Sequence, residues 1–208
     1  MEKIISGLAQ FKSSSFEEHE ALFAELANGQ SPEVLFITCA DSRIDPNLIT
    51  QTEPGDLFVI RNAGNIVPPH TRDADGVTAS IEYAVAVLGI KHVVVCGHSD
   101  CGAMKGALNT AALSDLPHVQ DWLDHSRAAV ETVKAKHGQA TISELDAVTK
   151  QNVELQLNHL RTHPAVSAKM STGDVELHGW VYNIGEGSVE AFDESKGAFV
   201  SVHERYTA

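Results

Sequence analysis

His92-Val93-Val94-Val95-Cys96-Gly97-His98-Ser99-Asp100-Cys101-Gly102 runs a short apolar segment straight into a polar, sulfur-bearing turn. An unbroken apolar run bounded by turn signals predicts a strand covered on both faces, as in a parallel sheet. Two other stretches read the same way. Val34-Leu35-Phe36-Ile37 leads into Thr38-Cys39-Ala40-Asp41-Ser42-Arg43, and Leu57-Phe58-Val59-Ile60 stands between the two in the chain. Val77 to Leu88 is an Ala-rich helical pattern stopped by Gly89, and another helix is expected to begin near Gly102. Helical patterns cover most of Leu116 to His137 and of Ile142 to Leu160. Glu176 to Tyr182 reads as a strand, and Gly185-Glu186-Gly187 as a turn into a last short strand. Strands alternating with helices predict an α/β fold with a mainly parallel central sheet flanked by helices.

Upstream of the first strand, Met1 to Asn28 is polar with apolar residues at helical spacing, among them Ile4, Leu8, Phe11, Leu22 and Leu26. Ser13-Ser14-Ser15 followed by Glu17-Glu18 resembles a cap and first turn, so two helices are expected there. Neither a linker nor an internal repeat interrupts the 208 residues, which suit one domain. The expected division is a helical arm over 1–28 and an α/β core over 29–208.

The formal net charge of −13 repels nucleic acid and anionic membrane. No window approaches the roughly 18 apolar residues of a membrane span. Met1-Glu2-Lys3-Ile4-Ile5 lacks the apolar run of a secretory signal, so a cytoplasmic location is expected. Three cysteines, an odd and low count, argue against a disulfide framework and for metal binding or catalysis.

Loops that follow parallel strands gather at the carboxyl edge of the sheet, where α/β proteins bind ligands. Cys39 is thereby expected to meet His98 and Cys101, although the chain separates them widely. Two thiolates and one imidazole suit zinc, and three protein ligands leave a fourth position open for water. One His-x-x-Cys spacing carries little alone, because a buried cysteine is more often a small hydrophobe. Cys96 continues an apolar strand and is assigned to core packing; the other ten histidines are taken as surface or satisfied polar residues. Asp41, two positions from Cys39, and Arg43, two further on, raise the odds of catalysis. A carboxylate there accepts a hydrogen bond from metal-bound water or takes the open position, and an Arg holds it by a charge-assisted pair. Taken singly, Asp41 also suits a helix cap and Arg43 a solvent-facing side chain.

Cys39-Ala40-Asp41-Ser42-Arg43 and Gly97-His98-Ser99-Asp100-Cys101-Gly102, in this order and separation, resemble the β-class carbonic anhydrases. The resemblance extends through Glu53 to Phe58, Arg61-Asn62-Ala63-Gly64-Asn65, Ile81-Glu82-Tyr83-Ala84 and His178 to Tyr182. It implies one zinc ion on Cys39, His98 and Cys101, Asp41 and Arg43 as a catalytic dyad, and reversible hydration of carbon dioxide to bicarbonate. It also implies a homodimer whose N-terminal helices wrap the partner, extended in some members to tetramers or larger forms. Zinc makes hydroxide available near neutral pH by acidifying bound water, an effect whose reference case is itself a histidine-ligated carbonic anhydrase.

Two subclasses of that family differ in whether Asp leaves the metal to water or closes on it beside a non-catalytic bicarbonate site. The closed type carries a Trp three positions before the first Cys, a Gly just before it, and a Val after the Arg. This chain has Phe36, Thr38 and Ile44 there, although it keeps Arg61 and Tyr182. Gln30, Phe58, Ala63 and Tyr83 match positions lining the pocket of the open, plant-type enzymes, with Ala63 smaller than the usual Val. Gln30 and the backbone N–H of Gly102 would donate to the oxygens of forming bicarbonate. In the open reading Asp41 is a metal ligand only in a closed state. Two other readings use the same residues: a carbonyl sulfide or carbon disulfide hydrolase, and a non-catalytic bicarbonate- or zinc-sensing module.

Overall fold

The computed structural model describes residues 1–73 and 75–207 and divides into two compact units, Met1–Ser31 and Pro32–Ala208. The first unit holds three helices, α1 (Glu2–Gln10), α2 (Phe16–Glu18) and α3 (Glu20–Leu26), none with a buried residue. Ser13-Ser14-Ser15 does not cap a second helix as expected. The Ser13 and Ser14 hydroxyls donate to carbonyls one turn back, at Ala9 and Gln10, so helical backbone runs on through Phe11–Ser15. The break falls instead at His19, whose φ of −113° and ψ of 21° leave the helical region. Phe11, Phe16 and Phe23 form a small aromatic cluster, with the last two stacked at 5.3 Å.

In the second unit a six-stranded sheet has the order β2-β1-β3-β4-β5-β6. The strands are β1 (Val34–Cys39), β2 (Leu57–Asn62), β3 (His92–His98), β4 (Glu176–Asn183), β5 (Ser188–Asp193) and β6 (Ala198–Ser201). The first four are parallel neighbours, and β5 and β6 are added antiparallel. Leu35, Ile37, Val93 and Val95 point to one face and are buried with Val153, Leu157 and Leu160 of α9 (Leu145–Thr162). That helix buries Val148, Thr149, Asn152, Val153, Gln156, Leu157 and Leu160, a stripe at i, i+3 and i+4 spacing. It lies close because β3 and β4 carry Gly97 and Gly179 beneath it. A Cβ on Gly97 would stand 3.0 Å from a Val153 methyl, and one on Gly179 2.9 Å from another. Phe36, Val94 and Cys96 turn to the opposite face, with Leu57 and Trp180 partly covered beside them.

The other helices are α4 (Pro46–Thr50), α5 (Gly76–Glu82), α6 (Gly102–Leu108), α7 (Pro117–Leu123), α8 (Arg127–His137), α10 (Pro164–Ser171) and α11 (Val202–Thr207). Sequence patterning missed α4, α10, α11 and β6. These are short segments of four to eight residues, with too few turns or alternations to show a period. Local chemistry marks some of them: Asp45 caps α4 by accepting from the Leu48 N–H, and Pro46 and Pro164 occupy first-turn positions. Asp45, not Asp41, is therefore the helix cap in this loop.

Candidate active site at the sheet switch point

From β1 the chain moves outward to β2 and then crosses back over β1 to β3. Successive strands thus depart in opposite directions from β1, and their loops open a crevice at the carboxyl ends of β1 and β3. Cys39 ends β1 and His98 ends β3. Asp100, at φ +58°, reverses the chain so that Cys101, the residue capping α6, turns back towards them. His98 and Cys101 thus stand at the turn that opens α6. The two Sγ atoms and a ring nitrogen of His98 all lie within 4.8 Å of one another, and all three residues are buried.

The donor set fits a thiophilic divalent ion. His98 Nδ1 lies 2.8 Å from the Ser99 carbonyl, which accepts its hydrogen. His98 Nε2 is then a lone pair, fully buried and without a hydrogen-bond partner among the described residues. An orphan of that kind is costly unless something electrophilic takes it up. The two sulfurs perturb one another: the neighbouring Cys101 thiol holds Cys39 below the ordinary thiol range, and Cys39 together with burial raises Cys101. A metal ion held there would take both sulfurs as thiolates. By contrast burial pushes the Cys96 thiol up to about 12, which agrees with core packing.

A framework of hydrogen bonds fixes these three side chains. The Gly64 N–H donates to Cys39 Sγ at 3.4 Å. Gly64 has φ +84°, and a Cβ there would stand 3.0 Å from that of Ala103, so glycine alone brings its amide to the sulfur without strain. Its carbonyl accepts from Asn152 Nδ2 at 3.1 Å. Asn152 Oδ1 accepts from Gln156 Nε2 at 2.8 Å, and Gln156 Oε1 accepts from the Val67 N–H at 2.9 Å. Two amide side chains of α9 therefore clamp the loop after β2. On the other side, Ser99 is tied to β4, its N–H donating to the Tyr182 carbonyl and its hydroxyl accepting from the Ile184 N–H. Sequence reading did not find Asn152, Gln156 or Gly64. The signal was polar side chains on the buried stripe of a helix.

Asp41 and Arg43 meet closely. Arg43 donates from Nε to Asp41 Oδ1 at 2.9 Å and from Nη2 to Oδ2 at 2.8 Å, and its backbone N–H adds a third bond to Oδ1 at 3.0 Å. These donors hold the Asp41 carboxyl well below the usual carboxylate range and raise the already high Arg43. Asp41 Oδ2 stands 3.9 Å from His98 Nε2, beside the cluster. Arg43 also reaches Asp100 Oδ2 at 3.1 Å, and Asp100 pairs with Lys105. Arg61 donates to the carbonyls of Cys39 at 3.1 Å and Asp41 at 2.7 Å, bracing the loop that carries both.

The remaining expected residues scatter. Ala63 is exposed in the loop beside Gly64, its carbonyl accepting from the Trp122 indole at 2.8 Å, and Gly102 opens α6 next to Cys101. Phe58 lies opposite Leu35, four rungs below the Cys39–Asn62 pair, or about 13 Å along the strand. Tyr83 packs beside it with ring centroids 6.1 Å apart. Gln30 is exposed in the first unit.

A sequence profile of the carbonic anhydrase family matches residues 34–189. The chain is 48% identical to a carbonic anhydrase of Pseudomonas aeruginosa over 204 residues, covering 98% of this chain and 93% of that one. A carbonic anhydrase of Synechocystis is 46% identical, covering 100% and 77%. The solved β-carbonic anhydrase CcaA superposes with a TM-score of 0.93 at 46% identity, covering 97% of this chain and 98% of the other. One of two tetrameric β-carbonic anhydrases from the ascomycete Sordaria macrospora gives 0.83 at 30% identity, covering 96% and 98%. The chain belongs to the β-class carbonic anhydrases.

Proposed function

We propose that Cys39, His98 and Cys101 hold one zinc ion and that Asp41 and Arg43 serve it in the reversible hydration of carbon dioxide. The observation that carries this is the buried His98 Nε2, without a partner among the described residues, beside the Cys39 and Cys101 sulfurs and with the Asp41 carboxylate alongside. Zinc supplies a Lewis acid that makes water nucleophilic near neutral pH. Asp41, kept ionised by Arg43, would accept a hydrogen bond from that nucleophile and so orient its lone pair. The Gly64 amide lowers the charge on Cys39, and the Ser99 carbonyl fixes the tautomer and the orientation of His98. The Gly102 N–H, beside Cys101, is assigned to the oxygens of forming bicarbonate.

The open subclass is the reading we adopt. Arg43 Nε, Nη2 and backbone N–H all engage Asp41, so leaving Arg43 for the metal means breaking a bidentate pair. Arg61 spends its guanidinium on two backbone carbonyls, and Thr38, where the closed type has Gly, is buried and donates to the Cys96 carbonyl at 2.9 Å.

We read the protein as an oligomer of one catalytic domain over 1–208, with residues 1–28 as an arm on the partner subunit. Ile4, Ile5 and Leu8 of α1 are 60–65% exposed, a stripe that needs a surface to cover it. The sheet face carrying Phe36, Leu57, Val94 and Trp180 is likewise an apolar groove. Phe58 and Tyr83 stand too far along the strand to line the pocket of their own Cys39, so a second chain supplies that apolar wall. Gln30 is assigned to the same pocket. A dimer with tetrameric or larger forms and a cytoplasmic setting complete the reading. No observation favours the sulfide-hydrolase or sensing alternatives.

The test is Asp41→Asn. It is expected to retain one zinc per chain while carbon dioxide hydration falls at least about a hundredfold. Unchanged hydration would remove Asp41 from the chemistry.

A further inference from the structure

At the amino ends of the strands, on the edge away from Cys39, a second group of metal-binding side chains converges. His92 opens β3, Glu176 opens β4 directly opposite it, and His178 stands two residues further along β4 on the same face. His92 Nδ1 and His178 Nε2 are 3.2 Å apart, and each lies 3.8 Å from Glu176 Oε2. Ligands at 2.0–2.1 Å around a tetrahedral ion are separated by about 3.4 Å, so all three spacings lie within half an ångström or so of that geometry.

The surroundings support ligation over a simple histidine pair. His178 is only 9% exposed, and its Nδ1 lies 3.0 Å from the Tyr206 oxygen, to which the Trp180 indole also donates at 2.9 Å. With Nδ1–H given to Tyr206, Nε2 is left as a lone pair directed at His92 and Glu176, the arrangement by which an outer hydrogen bond orients a ligating imidazole. Behind the group lies the groove of Val34, Phe36, Val94 and Trp180, which supplies an apolar shell on one side. His92 and Glu176 face solvent on the other and give the ion an entry path.

We propose that His92 Nδ1, His178 Nε2 and the Glu176 carboxylate form a second divalent-metal site, selective for zinc-like ions. Two imidazoles and one carboxylate favour zinc over magnesium or calcium, which prefer all-oxygen shells. The site is remote from the reaction: β3 carries the chain about 20 Å between His92 and His98. Its effect is structural. An ion there joins β3 to β4 and, through Tyr206, to the C-terminal helix α11.

The test compares zinc bound by the whole enzyme and by its variants after equilibrium dialysis at micromolar free zinc. The quantity read is the difference between proteins, so it holds whether or not the Cys39 cluster is loaded. Wild type is expected to carry one more zinc per chain than His92→Ala, His178→Ala or Glu176→Gln, with affinity in the variants reduced at least about tenfold. Zinc should raise the Tm of wild type more than that of His92→Ala, and carbon dioxide hydration by His92→Ala should equal wild type. His92 is exposed, so its loss leaves the fold intact even if His178→Ala does not. Equal zinc content in wild type and His92→Ala would overturn the proposal. So would an extra equivalent that survives both histidine substitutions.

Discussion

Replacing Asn152 with Leu tests whether helix α9 sets the metal centre through the Gly64 loop. The substitution is close to isosteric, but it strands two buried groups: the Gly64 carbonyl and one N–H of Gln156. Each unpaired buried group costs about 2 kcal/mol, and the added apolar surface offsets about 1–2 kcal/mol, for a net loss of about 2–3 kcal/mol. For a chain of this size that lowers Tm by about 4–12 °C at fixed protein concentration. Gly64 should also loosen, weakening its N–H bond to Cys39 and cutting zinc affinity about 10- to 100-fold. Differential scanning calorimetry and zinc competition with a chromophoric chelator read the two effects. Adding Gln156→Leu should cost less than the sum of the single changes, because the Gln156 amide no longer lacks a partner. A Tm within a degree of wild type, or a zinc affinity unchanged while stability falls, would refute the clamp.

Three other outcomes follow from the same geometry. Arg43→Gln removes the donors that keep Asp41 ionised, so the acid limb of the hydration pH profile should move to higher pH; an unmoved limb would mean Arg43 does not govern Asp41. His159 and His163 accept burial as neutral rings, hydrogen-bonded to the Val67 and Pro68 carbonyls, and burial lowers both pKa values. Their neutral form favours the folded state, so stability is complete above the unfolded histidine pKa of about 6.5 and falls below it as the unfolded chain takes up protons. Thermal unfolding between pH 8 and pH 5 should show that decline, and His163→Gln should flatten it. Gly97→Ala places a Cβ 3.0 Å and 3.2 Å from Val153 and Thr149 methyls, and overpacking of this kind should cost about 1–3 kcal/mol in chemical denaturation.

The parts of the fold legible in the sequence are those with a strong period or an uninterrupted apolar run. β1, β2, β3 and β4 are each extended by the structure by one or two residues at the carboxyl end, where Cys39 and His98 stand. Parallel topology alone brings those two residues to one edge. Short elements were not legible, because α4 and β6 span barely one turn or four residues. The candidate site was legible as residue types, through Cys39, Asp41, Arg43, His98 and Cys101, which the structure brings together. Its support was not. Asn152 and Gln156 sit on a helix stripe where only size and polarity can be read, and their partners lie about ninety residues away. The histidines His92 and His178 look scattered in sequence and become neighbours only through strand register.

The most direct test of a zinc-dependent mechanism at Cys39, His98 and Cys101 is stopped-flow carbon dioxide hydration across pH, with zinc content determined on the same samples. Hydration should rise with pH on the alkaline side of neutrality. It should scale with zinc held by the cysteine pair and vanish in Cys39→Ser, which loses that zinc. Full hydration by zinc-free wild type, or no hydration at any pH from the zinc-loaded enzyme, would contradict the account.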